Sequence, residues 1–144
     1  MSEAVTELRI ALTVDDFDGA VAFYRDALGM KVLEMWNAPG ANGVLLEAGH
    51  ATLELFDEGQ AAAVDDIEVG RRVAGRVRLA LEVEDSPATA GRLEAGGADR
   101  LGGPVVTPWG DTNVRLQAPD GMQLTLFSRR RLDGGDPGAP VRGE

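Results

Sequence analysis

Two arginines carry the most informative chemistry in the chain. Arg9 opens the segment Arg9-Ile-Ala-Leu-Thr-Val-Asp-Asp16, and Arg78 opens a close copy of it, Arg78-Leu-Ala-Leu-Glu-Val-Glu-Asp85. In both segments branched and large apolar residues alternate with others, the period-two pattern of a half-buried strand. Ile10, Leu12 and Val14, like Leu79, Leu81 and Val83, then face a core, while Arg9, Ala11 and Thr13, like Arg78, Ala80 and Glu82, share the opposite face. A guanidinium stays protonated across the physiological range and offers only donors, so it suits a carboxylate or an oxyanion and repels a metal cation. Other chemistries have less support. His50, the one histidine, falls in a turn four residues before Glu54, where an imidazole is ordinarily solvated. It completes no Ser-His-Asp or Cys-His set. The absence of cysteine removes disulfides and thiolate ligands. Gly96-Gly97 and Gly102-Gly103 lack the spacing and the following lysine of a phosphate-binding loop.

The elements that position these residues follow from the same sequence. After a frayed start over residues 1–6, the first strand runs over residues 7–14. Asp16 caps a helix over residues 17–28, with Phe17, Val21, Tyr24 and Leu28 on one stripe filled in by Ala20 and Ala27, and Gly29 stops it. Strands over residues 31–36, 44–47 and 51–56 complete a βαβββ unit, with a loop at 37–43. Residues 57–75 have no clean period and read as a connector with at most one helical turn. The second unit repeats the order: a strand over 76–83, a helix capped by Ser86 with Pro87 at its first position and running to Ala95, a weak strand over 104–107, and strands over 112–117 and 122–128. Leu53-Glu-Leu-Phe56 and Leu124-Thr-Leu-Phe127 are matching last strands. The expected organisation is one α+β domain over residues 1–128, with unit one at 7–57, connector at 58–75 and unit two at 76–128, followed by a disordered tail at 129–144.

Composition narrows the partners. A formal charge of −10 disfavours nucleic acid. No apolar run approaches the roughly 20 residues that span a bilayer, and nothing resembles a secretory leader, so a cytoplasmic protein is expected, without nucleic acid or membrane as partner.

The duplicated unit, together with Leu12-Thr-Val-Asp-Asp16, Ala22-Phe-Tyr-Arg-Asp-Ala-Leu-Gly29, Trp109-Gly110 and Pro119-Asp-Gly121, resembles the vicinal oxygen chelate superfamily of glyoxalases, extradiol dioxygenases and bleomycin resistance proteins. The resemblance covers about residues 7–128. It implies two tandem βαβββ units curved into a half-barrel cleft, commonly in a homodimer. It also implies four inner-face positions that ligate a metal in the enzymes, filled here by Arg9, Glu54, Arg78 and Thr125. Two arginines and one carboxylate make a poor ligand set, so no metal and no other cofactor is expected.

The inner face then offers Arg9, Arg78, Glu54, Glu82, Arg115, Gln117 and Gln123 beside Phe56 and Phe127, with Trp36 and Trp109 at the rim. Aromatic walls with a few polar groups suit a flat organic ligand. The expected function is metal-independent binding of an aromatic antibiotic or natural product, in the manner of the bleomycin resistance type, through Arg9, Trp36, Glu54, Phe56, Arg78, Glu82, Trp109, Arg115, Gln123 and Phe127, with no catalytic residue. The alternative is a metal-independent enzyme with Glu54 or Glu82 as general base, and a metal-dependent lyase or dioxygenase comes third. If both tryptophans rim a ligand site, replacing either should weaken binding and change stability much less.

Overall fold

A computed structural model gives the placement of residues 5–129. Eight strands form one sheet in the order β2-β3-β4-β1-β5-β8-β7-β6. These are β1 (Glu7–Thr13), β2 (Val32–Ala38), β3 (Ala41–Ala48), β4 (Ala51–Phe56), β5 (Val77–Glu82), β6 (Asp99–Val106), β7 (Thr112–Gln117) and β8 (Gln123–Ser128). In each unit the first strand pairs parallel with the last, β1 with β4 and β5 with β8, and β1 and β5 join the units antiparallel. The two units therefore pair within one chain. The fold is the α+β tandem βαβββ arrangement anticipated from the repeat.

Each unit seals the outer face of its half-sheet with a helix. Asp16 accepts a hydrogen bond from the Gly19 amide at 2.9 Å and starts α1 (Phe17–Val21), which runs into a π-helical stretch, Ala22–Ala27. Val21, Phe17, Ala20, Tyr24 and Met30 pack on Val44, Leu46, Leu53 and Leu55. The expected apolar stripe breaks at Leu28, which is exposed. The π turn closes hydrogen bonds five residues back, as from the Leu28 amide to Phe23 O, so side chains beyond it leave the 3.6-residue stripe. In unit two, Asp85 rather than Ser86 caps α3 (Ser86–Ala95), accepting from the Ala88 amide at 3.0 Å. Ala90 of α3 and Val83 cover Val114, Leu116 and Leu126.

The connector departs most from the sequence reading. It holds an 11-residue helix, α2 (Glu58–Glu68), laid over the inner face against β3, β4, β6 and β7. Asp57 caps it through the Gln60 amide at 2.8 Å and also accepts from the backbone and side-chain nitrogens of Asn42 on β3. Both ends approach backbone too closely for any side chain. A Cβ on Gly59 would lie 1.6 Å from Gly40 O in the β2–β3 turn, and one on Gly102 of β6 would lie 2.1 Å from Glu68 O. Glycine at these two positions lets α2 strap the outer hairpins of both units together.

At the chain's ends, Thr6 donates its amide to Glu82 O. Residues 1–4 of the expected frayed start and residues 130–144 of the expected disordered tail fall outside the described residues. Arg129 does not belong with that tail: it donates to Glu7 at 2.6 Å and pairs with Glu82 at 3.1 Å. No helix among the described residues is long and apolar enough to cross a membrane.

Candidate functional site

Alternation along the four central strands sends Arg9 and Ala11 of β1, Glu54 and Phe56 of β4, Arg78 and Ala80 of β5, and Thr125 and Phe127 of β8 to the inner face. Across the β1–β5 seam Arg9 stands opposite Ala80 and Arg78 opposite Ala11. Each guanidinium thus has a methyl rather than a bulky neighbour beside it. The two units also cross over. Arg9 of unit one lies 4.8 Å from the ring centre of Phe127 of unit two, and Arg78 of unit two lies 5.8 Å from that of Phe56 of unit one, both within cation–π range.

Between this floor and α2 lies a cavity of about 470 Å³, counting its open mouth. Gln60, Val64 and Glu68, four residues apart on one face of α2, form its roof, and Trp109 and Asp111 of the β6–β7 loop stand at one side. Trp36 on β2 closes the wall, its ring reaching within 3.0 Å of where a Cβ on Gly43 would stand. At 6% exposure Trp36 is packed wall, whereas Trp109 is half-buried. This corrects the expectation that both tryptophans rim the opening, because the missing Cβ of Gly43 draws Trp36 inward.

The charged groups divide into two systems. In unit one Arg9 is clamped by Glu7, Nε at 2.9 Å and Nη2 at 3.4 Å, with Glu54 Oε2 at a looser 3.7 Å from Nη1. Thr52 Oγ1 also donates to Glu7, at 2.7 Å. Burial pushes the Glu54 carboxyl above the usual carboxylate range, and the opposing pull of Arg9 and Arg78 does not cancel it. Glu7 goes the other way: burial works against its charge, but Arg9, Thr52 and Arg129 outweigh it and hold its pKa low.

In unit two Arg115, fully buried, pairs with Asp65 and Glu68 of α2, each at 2.9 Å. Its Nε makes the hydrogen bond to Glu68 Oε1, while Nη2 lies as close but is angled off one. Thr125 Oγ1 accepts from Arg78 Nη1 at 2.8 Å and from Arg115 Nε at 3.1 Å, and donates to Glu68 at 2.8 Å. Asn113 Nδ2 donates to the other Glu68 oxygen at 2.8 Å. Burial lowers the pKa of Arg78, with Glu68 the largest opposing influence.

Of the side chains anticipated for the site, Arg9, Trp36, Glu54, Phe56, Arg78, Trp109 and Phe127 all line this cavity. Three others do not join them. Glu82 turns to Arg129 at the end of β5. Arg115 is consumed by the α2 carboxylates, and Gln123 ties Arg115 Nη1 to Val73 O. Arg115 stands apart because the connector, read as irregular, brings its own acids to it. His50 is exposed at the β3–β4 turn, far along the strand from Glu54. Gln60, Val64, Glu68, Asp111 and Asn113 were not anticipated. The first three had a signal, since Asp57 and Gln60 form the Asp-x-x-Gln pattern of a capping box and Gln60, Val64 and Glu68 share one helical stripe.

Arg9, Glu54, Arg78 and Thr125, the four inner-face positions inferred from the resemblance, do converge here. They do not suit a metal ion. Two offer only donors, and among the described residues no three His, Cys, Asp or Glu side chains are grouped to hold one.

Residues 8–126 match the family model of the Glyoxalase/Bleomycin resistance protein/Dioxygenase superfamily. No curated protein matches the chain. Among solved structures, a methylmalonyl-CoA epimerase from Mycobacterium tuberculosis shares 22% identity over 89% of this chain and 91% of its own, with a TM-score of 0.63. A hypothetical protein from Bacillus halodurans C-125 gives 20% identity, 92% and 98% coverage and a TM-score of 0.64. A superfamily member from Vibrio splendidus 12B01 gives 14%, 88%, 99% and 0.57 in the same order. At these identities the likeness establishes the fold.

Proposed function

The chain belongs to the glyoxalase/bleomycin resistance protein/dioxygenase superfamily, and on that premise we propose that it is a metal-independent binding protein that sequesters a planar aromatic small molecule, such as an antibiotic or natural product. The observation that carries this reading is that Arg9 and Arg78, at two positions the resemblance assigns to metal ligands, are each stacked on the other unit's phenylalanine inside one cavity. Arginine–phenylalanine layers and the neighbouring indoles offer flat, polarisable surfaces against which an aromatic ring stacks. We place the protein in the cytoplasm and propose that it works as a homodimer. Phe23, Leu28, Leu33 and Met35 expose apolar surface that a second copy would cover.

The test is a fluorescence-quenching screen of aromatic antibiotics against metal-free protein, followed by denaturation of the complex and mass spectrometry of the released compound. A binder returns its ligand unchanged. A ligand released with altered mass or stereochemistry would instead make the protein an enzyme, with Glu54 the carboxyl placed to move a proton.

A further inference from the structure

On the central strands the inner-face arginine, alanine and phenylalanine of one unit recur in the other, with one difference at the cavity. Arg9 corresponds to Arg78, Ala11 to Ala80 and Phe56 to Phe127, but Glu54 of unit one corresponds to Thr125 of unit two. Arg9 therefore has carboxylates of Glu7 and Glu54 within 4.0 Å. At the symmetric position Arg78 meets a neutral hydroxyl, and among the described residues no carboxylate comes within ion-pair distance of it. Glu68, the acid whose charge acts most strongly on Arg78, is engaged by Arg115, Thr125 and Asn113. Arg78 is 95% buried, given its 5% exposure, and lines the cavity with one hydrogen bond, from Nη1 to Thr125. A guanidinium so far out of water with so few of its five donors used is costly unless something else completes it.

We propose that Arg78 is an anion subsite, so that the ligand is a planar aromatic bearing a carboxylate or comparable anionic group, which takes in unit two the place that the Glu54 side chain takes in unit one. This rests on the aromatic-binding reading and narrows its ligand class. The donors left on Arg78 form a fork that a carboxylate can meet with two parallel bonds. Phe56, beneath the same guanidinium, puts the aromatic body of the ligand beside its charge.

The experiment is isothermal titration calorimetry of the full chain with three probes: 2-naphthoate, the neutral 2-naphthamide of nearly the same shape, and cyclohexanecarboxylate. The expected result is that naphthoate binds about 10- to 100-fold more tightly than naphthamide, the range of one charge-assisted interaction. In Arg78→Gln that preference should collapse, and in Arg78→Lys, which keeps the charge without the fork, part of it should remain. Equal binding of naphthoate and naphthamide by wild-type protein overturns the inference while leaving aromatic binding intact, and this comparison requires no variant to fold. Arg78-dependent binding of cyclohexanecarboxylate as tight as that of naphthoate supports the anion subsite and refutes the aromatic requirement. Carboxylate binding unchanged in Arg78→Gln, or no carboxylate binding at all, overturns the subsite.

Discussion

Glu68→Gln tests how α2 is held over the cavity. The Glu68 carboxylate accepts hydrogen bonds from Asn113 Nδ2, Arg115 Nε and Thr125 Oγ1, all between 2.8 and 2.9 Å, and Arg115 is fully buried. A glutamine keeps the volume but turns one oxygen into a donor. The least costly accommodation keeps the amide oxygen on Arg115 and Thr125 and turns the NH2 toward Asn113, whose side-chain amide flips so that Oδ1 accepts. Oδ1 has no partner now, so the flip is permitted and the net loss is the charge. Removing one member of a buried ion pair costs about 3–5 kcal/mol. Arg115 keeps Asp65 at 2.9 Å, which brings the expectation down to about 2–4 kcal/mol, or a fall in Tm of roughly 6–15 °C for a domain of this size. Urea denaturation followed by far-UV circular dichroism measures it. A change below about 0.5 kcal/mol would show that α2 docks without Glu68 and would refute the network as the joint between connector and second unit.

Three further outcomes are expected. Trp36→Ala should destabilise the fold by about 3–5 kcal/mol, as large-to-small changes at packed sites do, whereas half-buried Trp109→Ala should weaken ligand binding by about 1–3 kcal/mol with a smaller stability cost; equal stability losses in urea melts would contradict the distinction. Glu54 binds its proton more tightly folded than unfolded, because burial raises its pKa above 4.5, so its contribution is fully present below that value and is lost as pH rises through the folded pKa. The stability of wild type relative to Glu54→Gln should fall across that window, and a difference independent of pH would refute it. Light scattering should give twice 15.2 kDa for the proposed homodimer; a mass of one chain at micromolar concentration would rule the dimer out.

Much of the fold was legible because its signals are local. Alternation marked the arginine-bearing face of β1 and β5, and Asp16, Gly29 and Pro119-Asp-Gly121 punctuated the elements around them. Repetition then made each unit a check on the other. What escaped lies where the units differ or where distant residues meet. The acids and alanines of α2 dilute its apolar stripe, so the cap at Asp57 and the spacing of Gln60, Val64 and Glu68 were outweighed. Since α2 was not recognised, nothing revealed that Asp65 and Glu68 would occupy Arg115 and leave it outside the cavity. The π turn that exposes Leu28 leaves no mark in the sequence, because no glycine or proline falls within Ala22–Ala27. Trp36 was misplaced for a pairwise reason: its inward position depends on Gly43 across the β2–β3 ladder.

The central claim is that arginines have replaced a metal in the cavity, and titration calorimetry of an aromatic ligand with chelator-treated protein tests it most directly. With 2-naphthoate as the probe, the Kd should be the same in excess EDTA as in untreated protein, and added manganese, nickel or zinc should leave it unchanged. Binding that disappears in EDTA and returns with one of these ions would contradict the account.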